Sequence, residues 1–168
     1  LLKAGNWLGP ALVAAAEQRV QRLLLFGYQG KLIKLAGGIF HTHHHLADGR
    51  REVLTALGAL QGLSTAALQR LYAAASVEEA LREFERQEPA ATAALRARLA
   101  AAVEERTAAY LARYGQTAMA VGAVLFDRAR QLCAQGPLGA ELLQAFQAWA
   151  RLWKASRRWS QPASSAIA

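Results

Sequence analysis

All four histidines of this chain, His41, His43, His44 and His45, fall within five consecutive residues. Imidazoles this close together suit metal ligation, ligand binding or the ordering of a loop. Metal ligation is the weakest of the three. No cysteine stands beside them. His41 and His45 are four apart, a spacing that serves a metal only on a helix, and the glutamate of a zinc-helix motif is missing. Ahead of them, Gly27-Tyr28-Gln29-Gly30-Lys31 joins an apolar run to a helical pattern. Such a turn exposes backbone N–H groups at a helix start, where anions bind. It is not a nucleotide-phosphate loop, because the spacing is too short and Leu32 stands where a hydroxyl would meet magnesium. The competing reading is a tight strand-to-helix turn with no ligand.

Lys31 and Lys34 are three apart and share a helix face, so together they suit a carboxylate-rich ligand. The plain alternative is two solvated lysines. Positive charge near a helix N-terminus opposes the dipole, which favours a bound anion there. Behind the histidines, Asp48, Arg50, Arg51 and Glu52 crowd the start of another helix. Arg50 can hold a carboxylate through two parallel bonds, or pair locally. Thr42 and Asp48 are also ordinary capping and turn residues. The chain has no nucleophile elbow, no Ser/His/Asp signature and no Cys-x-x-Cys pair. Trp149 and Trp153, with Leu142 and Phe146, form a packing stripe at helical spacing.

The elements that must position these groups alternate between strand and helix. Residues 1–7 have the pattern of a strand end and a Gly/Asn turn. A helix runs from Gly9-Pro10 to about Val20, with proline in its first turn. Arg22–Gly27 is a short apolar run closed by glycine, expected as a strand buried on both faces. A helix over Lys31–Ala36 ends at Gly37-Gly38, the histidines occupy a loop, and a helix follows over Gly49–Leu60. From Ser64 to Arg113 the chain is helical. Ser64 and Ser76 act as caps, Ser76 with Glu79 at capping-box spacing. Pro89 opens a long helix that Gly115 closes. Ala118–Phe126 is a second strand, Asp127-Arg128 a turn with Cys133 in the turn or helix after it, and Leu138–Trp159 an amphipathic helix. Pro162–Ser165 has the composition of a frayed end. The expected fold is α/β: a helix-rich, partial Rossmann-like domain, short of N-terminal strands because two strands do not make a stable sheet.

The formal charge is +8, and residues 128–168 hold six basic residues against the single acid Glu141. That tail is expected as a basic, Trp-containing helical extension of a domain spanning 1–127. It is a solvated helix face rather than a nucleic-acid surface, since aromatic interleaving is thin. No apolar run reaches the roughly 18 residues of a membrane span. A lone cysteine suits a reducing cytoplasm.

Three groups of residues in order carry a family resemblance: Gly5-Asn6-Trp7-Leu8-Gly9, then Gly27 to Phe40, then Thr42-His43 with Ala47-Asp48-Gly49-Arg50. They resemble the C-terminal half of the cobalt-precorrin-5B C1-methyltransferase family of anaerobic cobalamin biosynthesis. The match is strongest over residues 1–60. Family members usually have His at Tyr28, Asn at His41 and Ser at His44, and are about twice this length. The resemblance implies methyl transfer from S-adenosylmethionine to C1 of the contracted ring, giving cobalt-precorrin-6A. Cobalt enters only within the substrate, and this chain supplies only part of the enzyme. It also implies a division of the site. Asn6, Gly27, Gly30 and Lys31 fall on the cofactor side, and Lys34, Thr42, His43, Asp48 and Arg50 on the macrocycle side. His43 as an axial ligand to the substrate's cobalt is a further role it leaves open. The implied partners are the cobalt corrinoid, a missing N-terminal domain or separately encoded half, and a second copy of the chain. A non-catalytic tetrapyrrole-binding or assembly domain is the competing function.

Overall fold

The computed structural model describes residues 2–158, with side chains through Arg151. The described elements run α1 (Leu8–Glu17), β1 (Arg22–Tyr28), α2 (Gln29–Ala36), α3 (Arg50–Leu60), α4 (Thr65–Ala73), α5 (Val77–Gln87), α6 (Pro89–Ala112), β2 (Ala120–Phe126), β3 (Leu132–Gln135) and α7 (Pro137–Arg158). The fold is helix-rich α/β, as expected. Its sheet has the order β1-β2-β3. β1 and β2 are parallel, in register from Arg22 opposite Ala120 to Tyr28 opposite Phe126. β2 and β3 are antiparallel, with a register shift at Leu125/Phe126.

The two faces of β2 explain the layers. Val121, Ala123 and Leu125 sink into the main core with Leu95, Leu99 and Val103 of α6. Gly122 faces α7 so closely that a Cβ there would lie 2.7 Å from the Gly139 nitrogen. Glu104, buried on α6, locks this contact. Its carboxylate accepts from the backbone N–H of Ala123 (2.9 Å), Leu138 (3.1 Å) and Gly139 (2.7 Å). An anion on the first amides of α7 is the favourable arrangement for a helix N-terminus.

Ser64 and Ser76 cap α4 and α5 by accepting from Ala67 and Glu79 N–H. Pro89 opens α6. Four sequence expectations need correction. Residues 2–6 are irregular rather than strand, and Trp7 makes only an isolated bridge to His41. α1 stops at Glu17, because Arg19 turns into the left-handed region (φ 59) and its N–H bonds back to Ala16. β1 is not buried on both faces: it lies at the sheet edge, and Phe26 is 55% exposed. Beyond the Asp127 turn the chain doubles back as β3 where a turn or helix is expected, so Cys133 sits on a strand. The Pro162–Ser165 segment and Trp159 lie outside the described residues.

Candidate functional site

The site is organised around α2. Its buried side holds Leu32, Ile33 and Leu35 in the core, and its polar positions staple two loops. Lys34 is only 3% exposed. Its Nζ donates to the carbonyls of Ala47 (2.7 Å) and Thr42 (3.2 Å), at the two ends of the histidine loop. Burial lowers its pKa, partly offset by the Asp48 charge. Lys31 Nζ donates to the Gly5 carbonyl at 2.8 Å. Thr42 completes the clamp: its N–H donates to the Asn6 carbonyl (2.9 Å) and its hydroxyl to Asn6 Oδ1 (3.1 Å). Asn6, Lys31, Lys34 and Thr42 are thus brought together, and each is engaged inside the protein.

Gly49 adopts φ 61 and lets Arg50 fold back over Asp48. The guanidinium grips the carboxylate through Nε–Oδ1 and Nη2–Oδ2, the latter at 2.7 Å. That hydrogen bonding holds the Asp48 carboxyl down at about 2. Both side chains are well exposed, at 39% for Arg50 and 52% for Asp48, so the fork points outward. Beside it lies a polar cavity of about 220 Å³ between the starts of α3 and α5, lined by Arg50, Arg51, Glu52 and Ser76 among others.

The histidine loop is arranged in two parts. His43, His44 and His45 gather their rings at centroid separations of 4.0–5.1 Å. The neighbouring His45 is the main cause of a lowered His44 pKa. His41 points the other way, edge-on to Trp7 at 4.6 Å, with Nδ1 buried and unpartnered. Among the described residues, no group of three or more His, Cys, Asp or Glu is placed to hold a metal ion.

The glycines at the strand–helix junction serve internal packing. No loop separates β1 from α2. A Cβ at Gly27 would lie 2.9 Å from Leu32, and one at Gly30 would lie 2.6 Å from the Tyr28 ring. The first turn of α2 has no side-chain cap.

Sequence reasoning missed a second polar group at the carboxyl ends of β1 and β2, where α/β sheets take their ligands. Gln29, fully buried, donates from Nε2 to Glu78 Oε2 at 2.9 Å. Glu78 Oε1 accepts from Arg128 N–H at 3.4 Å. Burial, then the Glu78 charge, raises the Tyr28 phenol. The Cys133 thiol donates to Gln29 Oε1 at 3.5 Å, and burial pushes it up to about 11. These residues lie about 50 and 100 positions apart, and only the crossover brings them together. No local spacing signals them.

Residues 41–137 match the pattern of the family described as CbiD, C-terminal domain. The protein named cobalt-precorrin-5B C(1)-methyltransferase of Synechococcus sp. (strain CC9902) is 62% identical over 141 residues, covering 84% of this chain and 39% of that relative. The protein of the same name from Prochlorococcus marinus (strain MIT 9303) is 59% identical over 143 residues, covering 85% and 37%. A more distant one, from Prochlorococcus marinus (strain NATL1A), is 52% identical over 132 residues, covering 79% and 35%. The chain therefore spans well under half the length of these relatives. No solved structure matches it significantly. With the family pattern covering more than half of its residues, the chain belongs to the CbiD family and carries that family's C-terminal domain.

Proposed function

We propose that this chain forms the ring-binding part of an enzyme that methylates C1 of cobalt-precorrin-5B with S-adenosylmethionine as donor, in the cytoplasm. The observation that carries this reading is the roughly 60% identity to proteins of that name over more than four-fifths of the chain. The geometry supports it in a specific way. The motif residues between Asn6 and Arg50 gather on one side of α2, and their outward-facing member is the Arg50 fork.

Lys31, Lys34, Thr42 and Asn6 act as positioning residues. They hold the N-terminal segment and the histidine loop in register, so that His43 and Arg50 present a fixed surface. Arg50 takes an acetate or propionate arm of the ring on its free guanidinium edge, while Asp48 fixes the plane of that group. His43 flanks the ring. The resemblance puts the donor on the side of Asn6 and Lys31, where the positive end of the α2 dipole favours the carboxylate of its amino-acid end. The bound donor supplies an electrophilic methyl group on a sulfonium. The protein's task is alignment and exclusion of water rather than proton transfer. Closure of the site belongs to the additional length that the relatives possess.

The test is a transfer assay. The protein containing this chain at full length is incubated with cobalt-precorrin-5B and methyl-labelled S-adenosylmethionine. Label is expected in the ring, and Arg50→Ala should raise KM more than it lowers kcat. Ring binding without any transfer of label would leave a binding domain in place of an enzyme.

A further inference from the structure

The carboxyl end of the sheet carries an aromatic step that none of the motif residues uses. Phe26 and Tyr28 are two apart on β1 and therefore project to one face. The parallel register sets Tyr28 beside Phe126. The rings of Phe26 and Phe126 are 5.4 Å apart at 39°, and those of Tyr28 and Phe126 are 6.4 Å apart at 41°. Phe126 is the buried member, at 9%, Tyr28 is half-buried and Phe26 is 55% exposed, so Phe26 offers the open face of the step.

The hairpin after β2 overhangs this surface. The Asp127 N–H donates to the Gln131 carbonyl (3.0 Å), and the Gln131 N–H donates to Asp127 Oδ1 (2.9 Å). Arg130 sits in the hairpin at φ 63, a position that glycine or asparagine normally fills. A bulky residue held there points to a use for its side chain. Its guanidinium lies 4.9 Å from the centre of the Phe126 ring. Arg128 hydrogen-bonds the Tyr28 phenol, which partly offsets the larger effect of burial on that group. Among the described residues, neither Arg128 nor Arg130 is in a salt bridge. The nearby carboxylates are already engaged: Glu78 by Gln29 and the Arg128 amide, Asp127 by Gln131, and Asp48 by Arg50.

We propose that this step, with Arg128 and Arg130, binds one face and the carboxylate arms of the tetrapyrrole ring on the β1–β2 side of the site. The inference rests on the function proposed above and adds residues that the family motifs do not contain. A covering polypeptide segment would bury Phe26 but would also desolvate two guanidinium groups that have no carboxylate partner among the described residues. A flat ring bearing carboxylates answers both, by stacking on Phe26 and pairing with the arginines. The family match runs through residue 137, so the hairpin lies inside the shared domain.

The test uses cobyrinic acid, a cobalt corrin with free carboxylate arms, and cobinamide, whose arms are amidated. Binding to the full chain is followed by the corrin absorbance in equilibrium dialysis. Phe26→Ala, Arg128→Gln and Arg130→Gly should each weaken cobyrinic acid binding about tenfold, the loss of one good contact. Cobinamide should be insensitive to the two arginine changes and still sensitive to Phe26→Ala. Arg130→Gly relieves the left-handed backbone, so its melting temperature should not fall, which separates binding from folding. If the unaltered chain binds cobyrinic acid and all three variants bind it equally well, this inference fails and the proposed function stands. If the variants only destabilise the protein, the face is a polypeptide contact and the inference also fails. If the unaltered chain does not bind cobyrinic acid, both fall.

Discussion

Replacing Lys34 with methionine distinguishes a lysine that builds the site from one that touches the ligand. The structure makes it a builder: the ammonium is 3% exposed and bridges the Ala47 and Thr42 carbonyls at 2.7 and 3.2 Å. A hydrogen bond to a charged group contributes about 1.5–3 kcal/mol net, and the longer of these two falls at the low end. Methionine refills the methylene stem and removes the cost of burying a charge, which offsets part of the loss. The balance is a destabilisation of about 2 kcal/mol, or roughly 4–8 °C in melting temperature for a domain of this size. Thermal melting followed by helical circular dichroism measures this. Hydrogen exchange should place the loss locally, with faster exchange at the Thr42 amide that donates to Asn6. A variant that melts within about 1 °C of the parent, with unchanged Thr42 exchange and weakened corrin binding, would refute the reasoning. Lys34 would then be a ligand contact.

Three further outcomes follow from other parts of the structure. Glu104→Ala leaves three backbone N–H groups without their buried acceptor and should cost about 3–5 kcal/mol, read by urea denaturation; Glu104→Gln should recover part of it. The Asp48 carboxyl titrates near 2 when folded and near 3.8 when unfolded, so between those values the unfolded chain binds more protons and stability rises with pH. Its contribution is therefore present above pH 4 and lost as the pH falls towards 2. Because the pair is well exposed it amounts to less than about 1 kcal/mol, and Asp48→Asn should remove that slope from acid-denaturation curves. Burial of the Cys133 thiol implies on the order of a hundredfold less thiolate at pH 8 than at an ordinary cysteine, so iodoacetamide labelling of the native protein should be slow and should accelerate on unfolding.

Much of the fold was legible because its signals are local. The serine caps, Pro89 and Gly115 mark helix ends within a few residues of themselves. The apolar runs at Arg22 and Ala118 show two strands. What was not legible depended on distance. The exposure of Phe26 follows from the place of β1 at the sheet edge, which composition cannot reveal. β3 is four residues long, and Leu-Cys-Ala-Gln has no alternation strong enough to separate it from a turn. For the site, spacing correctly put Lys31 and Lys34 on one helix but could not say that both ammonium groups point at backbone carbonyls. The glycines of the strand–helix junction suggested an open anion loop. They are instead needed where Leu32 and Tyr28 press against the backbone. Glu78 and Arg128 were invisible as site residues because each looks like an ordinary helix-start or hairpin charge.

The most direct test of the central claim is the dissociation constant of cobyrinic acid for the full chain, compared with that of Arg50→Ala. The Asp48–Arg50 pair is exposed and adds little to stability, so the variant stays folded and the comparison reports binding alone. Loss of a two-pronged carboxylate contact corresponds to a 10- to 100-fold weakening, roughly, and that is the predicted result. Equal affinity in the two proteins would show that the Arg50 fork does not face the ring, and would contradict the account.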